Sequence, residues 1–273
     1  MKVHFFEKQI LNDFYKFLSI SSSILSLIFL FLPDLCFCIK KILLVIFIIF
    51  IIIVYFSIFV YYKLKRKIKL KINNTIVNIF FGDIFKMKGK KVIGFNEYFD
   101  TIVDEKIIIS SSLNGQLVKI LGKDKIDDSL NKDKYLVPID VNKNRKKGKT
   151  KKYQLGTIHK ISDYFLLALT HFNEKNEAYL LSNDYAKCLL EMWKHLNESY
   201  AQEEIFIPLL GAGITRIIDN ANVEVQELLE IMLKTLEISK LTFKEPSTIN
   251  IVLFDRKNSM HKFNFAKLKY LYK

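Results

Sequence analysis

Cysteine is scarce in this chain. Only Cys36, Cys38 and Cys188 occur among 273 residues. Three cysteines do not build a disulfide framework, and none stands at zinc-ligand spacing. The soluble part therefore reads as resident in a reducing compartment. Histidine is equally sparse: His4, His159, His171, His195 and His261 form no pair at four-residue spacing around a glutamate, which excludes the helical metalloprotease pattern. There is no Gly-x-Ser-x-Gly elbow and no Gly-Lys-Ser/Thr phosphate loop. The residues thus give no positive signal for a catalytic centre, and no metal or resident cofactor is expected. Acidic residues are also short, 28 against 42 basic ones, for a net charge of +14. On a soluble protein that excess would point to nucleic acid. Here basic clusters beside membrane spans explain it better, and no nucleic-acid partner is expected.

What is abundant is apolar sequence, and it is concentrated at the N-terminus. Ile42–Tyr62 contains no charged residue. As a helix it covers roughly 30 Å, the thickness of a bilayer's hydrocarbon core. Tyr55, Tyr61 and Tyr62 sit towards its far end, as in an interfacial aromatic belt. Phe14–Leu32 is predicted as a first span, although it carries Lys16 and the serines Ser19, Ser21, Ser22 and Ser23. The serine hydroxyls can bond back to the helix or across to a neighbour. Pro33 and Asp34 end the span. A cleaved signal peptide fits poorly, because the leading region carries Glu7 and Asp13 and shows no small-residue cleavage site. Lys63, Lys65, Arg66, Lys67, Lys69 and Lys71 then crowd the end of the second span and place that end, the N-terminus and all that follows in the cytoplasm.

The organisation is therefore a membrane segment over residues 1–71, with a basic linker over 63–71, and one soluble domain over 72–273. In that domain Thr75–Phe81, Lys91–Phe95, Tyr164–His171, Ile205–Leu209 and Thr248–Phe254 read as strands. Lys106–Ile109, Lys134–Ile139 and Tyr153–Ile158 read as weaker strand candidates. Asn142–Lys152 reads as a solvated basic excursion. Asp184–Tyr200, Val223–Ile238 and Met260–Tyr272 have helical periodicity. Strands alternating with helices predict a three-layer α/β fold around a mixed central sheet. Ligands of such folds sit beyond the carboxyl ends of the strands.

Four stretches have the composition of ligand loops. Pro208-Leu209-Leu210-Gly211-Ala212-Gly213-Ile214-Thr215-Arg216 carries an apolar strand into a Gly-x-Gly turn, whose backbone N–H groups can form an anion nest; a plain tight turn explains it equally well. Gly82-Asp83-Ile84 follows another strand, with the aspartate able to accept an adenine amine or simply to cap a helix. Asn96 to Thr101 follows a third strand, and Asn114-Gly115-Gln116 forms a polar turn.

In this order the four stretches resemble a macro domain, over about Ile72 to Lys273. With the N-terminal spans, the chain is similar to the membrane-anchored ThsA effectors of the Thoeris antiphage system. The resemblance implies that Asp83 faces an adenine and that Gly211–Thr215 hold a diphosphate, with Arg216 in support. It implies that Asn96, Asp100, Thr101 and Asn114–Gln116 line the distal ribose and its substituent. It implies a signal made by a partner TIR-domain ThsB-like enzyme, an ADP-ribose derivative of the histidine-ADP-ribose type. It further implies self-association on activation and disruption of the inner-membrane bilayer that the spans cross. Glu97 or Asp100 could then pair with a cationic group on the ligand. The usual Asn-Ala-Ala-Asn and triple-glycine stretches of hydrolytic macro domains are replaced here, which favours sensing over an ADP-ribosyl hydrolase. A purely structural membrane adaptor is the third reading.

Overall fold

The computed structural model describes residues 3–31, 36–199, 203–213, 216–217, 223–243, 248–255 and 262–272. In chain order the elements begin with α1 (Lys8–Phe31), α2 (Phe37–Leu64), β1 (Lys67–Ile72), β2 (Thr75–Phe81), a single 3-10 turn (Ile84–Lys86) and β3 (Lys90–Asn96). There follow α3 (Leu113–Leu121), α4 (Lys123–Lys132), β4 (Asp140–Val141), β5 (Lys151–Lys152), β6 (Ile158–Ile161), β7 (Tyr164–Phe172) and β8 (Ala178–Leu180). The last are α5 (Ser182–Ser199), β9 (Ile205–Pro208), β10 (Arg216–Ile217), α6 (Val225–Ser239), β11 (Ile249–Leu253) and α7 (Phe265–Leu271). Two compact units result: Met1–Ile68 with Lys257–Lys273, and Lys69–Arg256. The C-terminal helix thus groups with the N-terminal helices, whereas the sequence reading ran the soluble domain through to residue 273.

In the first unit α1 and α2 are both long and apolar enough to cross a bilayer, and the apolar stretch of neither is buried against protein. Three serine hydroxyls of α1 bond back along their own helix, Ser19 to the Lys16 carbonyl (2.9 Å), Ser21 to that of Leu18 (3.1 Å) and Ser23 to that of Ser19 (2.9 Å). That satisfies the hydroxyls within the helix. Helix α7 closes the unit. The Lys269 ammonium donates to the Tyr62 hydroxyl (2.9 Å), which donates to Asp13 (2.6 Å), so one short chain of bonds joins α7, α2 and α1.

The second unit is built on a nine-stranded sheet among the described residues, in the order β1-β2-β11-β9-β3-β7-β8-β10, with β6 also paired to β7. Strands β2, β11, β9, β3 and β7 are mutually parallel, while β6 and β8 run antiparallel to β7. The parallel centre is buried without a break in β9, β11 and most of β7, and apolar there apart from Asn250 of β11 and Thr170 of β7, because helices cover both faces of such strands. Helices α3 and α4 share one core with Ile93 and Phe95 of β3 and with Leu166 and Ala168 of β7. Helices α5 and α6 pack on each other, and Trp193 of α5 donates to the Thr235 hydroxyl of α6 (3.0 Å) inside that contact.

Several expectations change. The basic linker is not a linker throughout, since Lys67–Ile72 is β1, with lysines outward and Ile68, Leu70 and Ile72 buried. A two-residue turn, Asn73 and Asn74 at φ 49° and 62°, returns it to β2 as a primed hairpin. Lys106–Ile109 forms only an isolated bridge, Ile108 to Val103. Lys134–Ile139 is not a strand: Pro138 removes a ladder donor and only Leu136 reaches the core. Within Tyr153–Ile158 the ladder is interrupted, with strand only at Ile158 and at Lys151–Lys152 just before the segment.

Cys188 lies on α5, wholly buried, and burial pushes its thiol pKa up to about 12. A thiol so protonated is inert. Brief iodoacetamide treatment of the folded chain is expected to modify the exposed Cys36 and Cys38 and to spare Cys188 until denaturant is added, as read by peptide mass spectrometry.

Candidate ligand-binding site

Because β2, β9 and β3 are parallel, the loops that follow them leave the sheet on the same rim. Three of the four sequence-selected stretches are these loops: Gly82–Ile84 after β2, Leu209–Gly213 after β9, and Glu97–Thr101 after β3. The fourth, Asn114–Gln116, opens α3, which packs on β3.

The Asn96–Thr101 loop is tightly fixed. The Asn96 amide oxygen accepts from the Tyr98 and Asp100 N–H groups (3.1 and 3.2 Å), and its amide nitrogen donates to Asp100 (2.9 Å). Phe99 is held at φ 50°, an unusual value for an aromatic residue, and its ring is buried against Phe95 and Tyr153. Thr101 donates to Asp127 (2.7 Å).

Both acids of this loop are engaged from within the chain. Asp100, 0% exposed, receives two guanidinium bonds from Arg145 (3.1 and 2.6 Å) and the Lys149 N–H (2.7 Å). The Arg145 side chain is itself only 6% exposed and lies 4.0 Å from the centre of the Tyr98 ring. Glu97, equally buried, receives His171 Nδ1 (2.6 Å), the Phe172 N–H (3.3 Å) and the Lys152 ammonium (3.3 Å). Burial works against the Lys152 ammonium, but the Glu97 carboxylate outweighs it and the pKa rises. At Lys149 burial prevails over its pairing with Asp127 and the pKa falls. The segment Asn142–Lys152 is therefore not simply a solvated excursion. Arg145, Lys149 and Lys152 fold back from it and clamp the loop after β3. Sequence reasoning missed all three, since their partners lie 22 to 55 positions away in the chain by residue number, and no local spacing marks such pairs.

At the other stretches, Asp83 caps the 3-10 turn by accepting from the Phe85 N–H (3.0 Å). Asn114 and Ser112 bond each other at the start of α3, and Gln116 donates to the Ser111 carbonyl (2.9 Å). Gly115 is a close-approach position, where a Cβ would stand 2.4 Å from the Ile109 carbonyl oxygen. Pro208 ends β9 paired with Val252, and beyond it the Leu210 carbonyl accepts from the buried Tyr185 hydroxyl (2.9 Å). Gly211 turns the chain at φ 76°, and among the described residues no atom stands within 4 Å of the position a Cβ would take on Gly213. Ala212 is exposed. Ile214 and Thr215 lie outside the described residues, and Arg216 is described only as the backbone of β10, paired with Tyr179.

Residues 77–254 match the family described as Thoeris protein ThsA, Macro domain. A curated relative, Thoeris protein ThsA of Bacillus amyloliquefaciens (strain Y2), is 44% identical over 209 residues, covering 74% of this chain and 69% of the relative. The chain belongs to the ThsA macro-domain family. Solved structures that it is similar to include the Oceanobacillus iheyensis macrodomain with ADP, at TM-score 0.47 and 15% identity over 75% of this chain and 96% of that one. A mutant of the same macrodomain with ADPR gives 0.48 and 14% over 75% and 98%. The chain is thus a ThsA macro domain preceded by two apolar helices.

A second polar cluster lies away from the rim. His159 of β6 bonds Asp133 through Nδ1 (2.7 Å) and the Ser129 hydroxyl through Nε2 (2.9 Å), beside a depression lined by Lys125, Lys132 and Lys160. The order Ser-His-Asp is that of a nucleophilic triad. Ser129, however, sits inside α4, where neighbouring N–H groups are committed to the helix and cannot serve an oxyanion. The cluster fastens α4 to β6.

Proposed function

We propose that this chain is a ligand-triggered membrane effector of antiphage defence. Its macro domain would bind an ADP-ribose derivative supplied by a TIR-domain partner, of the histidine-ADP-ribose type. The bound chains would self-associate, and α1 and α2 would breach the bilayer that they cross. Family membership supports the defence role, and the two long apolar helices support the membrane location.

The observation that carries the binding reading is the turn after β9. The left-handed Gly211 and a Gly213 with no described atom near its Cβ position would leave backbone room for a diphosphate at the carboxyl rim of a parallel sheet. Sensing rather than turnover is favoured by the loop after β3. Asn96 and Asp100, whose counterparts would have to act on a ligand, are bonded to one another, and Asp100 also to Arg145.

Calorimetric titration of the detergent-solubilised chain with ADP-ribose and its amino-acid conjugates tests this. One-to-one binding without conversion of the ligand is expected. Gly213→Val should weaken binding at least about tenfold, or 1.4 kcal/mol, while leaving the melting temperature unchanged. A folded protein that takes up none of these ligands would sink the reading, and conversion of the ligand would transfer it to a hydrolase.

A further inference from the structure

The segment from Lys132 to Lys152 divides its side chains between two directions. Arg145, Lys149 and Lys152 turn inward onto Asp100, Asp127 and Glu97. What remains outside is an apolar ridge: Tyr135 is 96% exposed, Val137 72% and Ile139 61%, while Leu136 between them is buried. Val141 extends the ridge and is also exposed. The chain turns tightly at its start, with the Val137 N–H on the Tyr135 carbonyl (3.1 Å), and the exposed Tyr135, Val137 and Ile139 alternate with the buried Leu136 and the half-buried Pro138. Three exposed apolar side chains in a row, one of them an aromatic, form the kind of patch that marks an interaction surface.

The charge around the ridge selects the partner. Lys134, Lys143, Lys146 and Lys151 are exposed beside it, with Asp140 the exposed acid in the ridge segment. A second copy of this chain would bring the same lysines against themselves. An anionic surface complements them, and each lysine near such a surface adds to the attraction. Tyrosine and aliphatic side chains flanked by lysines are also the composition that settles at the headgroup boundary of a bilayer.

We propose that the Tyr135–Val141 ridge is a peripheral lipid-binding element that docks the macro domain on an anionic bilayer surface. The backbone of the ridge is suited to this. The Ile139 N–H on the Lys152 carbonyl (2.8 Å) and the Asp140 and Val141 pairing with β5 order its C-terminal half in advance of docking. Pro138 blunts the edge against strand addition by another protein. The proposal rests on the membrane location argued above.

The test uses the full chain with Cys36 and Cys38 changed to serine, Val137→Cys labelled with an environment-sensitive fluorophore, and reconstitution at about one protein per vesicle. Vesicles of phosphatidylcholine with about 30% phosphatidylglycerol are compared with phosphatidylcholine alone. The expected result is a blue shift of emission, and quenching by acyl-chain-borne quenchers, in the anionic vesicles only. Lys143→Glu with Lys146→Glu should abolish both. A label that stays in water in anionic vesicles, in a chain that is nonetheless membrane-embedded, overturns the ridge and leaves the membrane reading intact. A shift that rises with protein density in phosphatidylcholine alone overturns it in favour of a second copy. A chain that is extracted without detergent fails both readings.

Discussion

Arg145→Ala destabilises the macro domain by about 3–5 kcal/mol, the cost of leaving a buried charge without its partner. The expectation follows from Asp100, which is wholly inaccessible and would keep only the Asn96 amide and the Lys149 N–H. Two guanidinium bonds would be lost, with those that Arg145 makes to the Asn176 side chain (3.2 and 2.8 Å) and the Lys149 carbonyl (2.6 Å). Arg145→Lys should recover little, because an ammonium cannot meet both Asp100 oxygens and stack on Tyr98 as the planar guanidinium does. Urea denaturation of the solubilised chain, followed through the buried Trp193, measures the loss. The converse change, Asp100→Asn, should cost a comparable amount by stranding Arg145. A loss below about 1 kcal/mol in both variants, the range of a surface ion pair, would show that the pair is solvated.

The Arg145–Asp100 pair also marks where sequence reading stopped. Strands were legible where β-branched, aromatic and other apolar residues dominate: Thr75–Phe81 is β2 to the residue, and Ile205–Leu209 and Tyr164–His171 differ from β9 and β7 by one residue. They were not legible where charge masked the period. Lys67–Ile72 alternates lysine with an apolar residue at every step, yet its lysines made it read as a linker. The opposite error occurred at Lys134–Ile139, whose apolar composition read as a strand but in which only Leu136 is buried. The candidate loops were found because glycine and asparagine at strand ends are local signals. The roles of their side chains were not, since Glu97–His171 and Asp100–Arg145 join residues 74 and 45 positions apart. The cation once sought on a ligand for these acids is supplied by the protein itself.

Glycine substitutions separate the loops that are structural from those with room for a ligand. Gly115→Ala is expected to cost about 3 kcal/mol, at the upper end for overpacking, because the new methyl would stand 2.4 Å from a backbone oxygen and 3.1 Å from the Ser110 Cα. Neither atom is the far end of a flexible side chain, so relief requires α3 to move against Ile109. That movement would break the Ser112 cap, whose hydroxyl accepts from the Gly115 N–H (3.2 Å). Gly213→Ala meets no atom of the described residues within 4 Å and sits at no left-handed φ, so its stability should stay within about 0.5 kcal/mol of the parent. Gly211→Ala falls between them: the space is ordinary van der Waals contact, but φ 76° costs an L-residue about 1–2 kcal/mol. Thermal unfolding of the three variants gives the order, and ADP-ribose titration of the same samples gives the complementary one. If Gly213 lines the diphosphate, a side chain there lowers affinity with the fold intact, whereas Gly115 lowers stability first and affinity only as the fold is lost. Equal losses of stability at Gly115 and Gly213 would mean that the turn after β9 is packed by protein and is not open to a ligand.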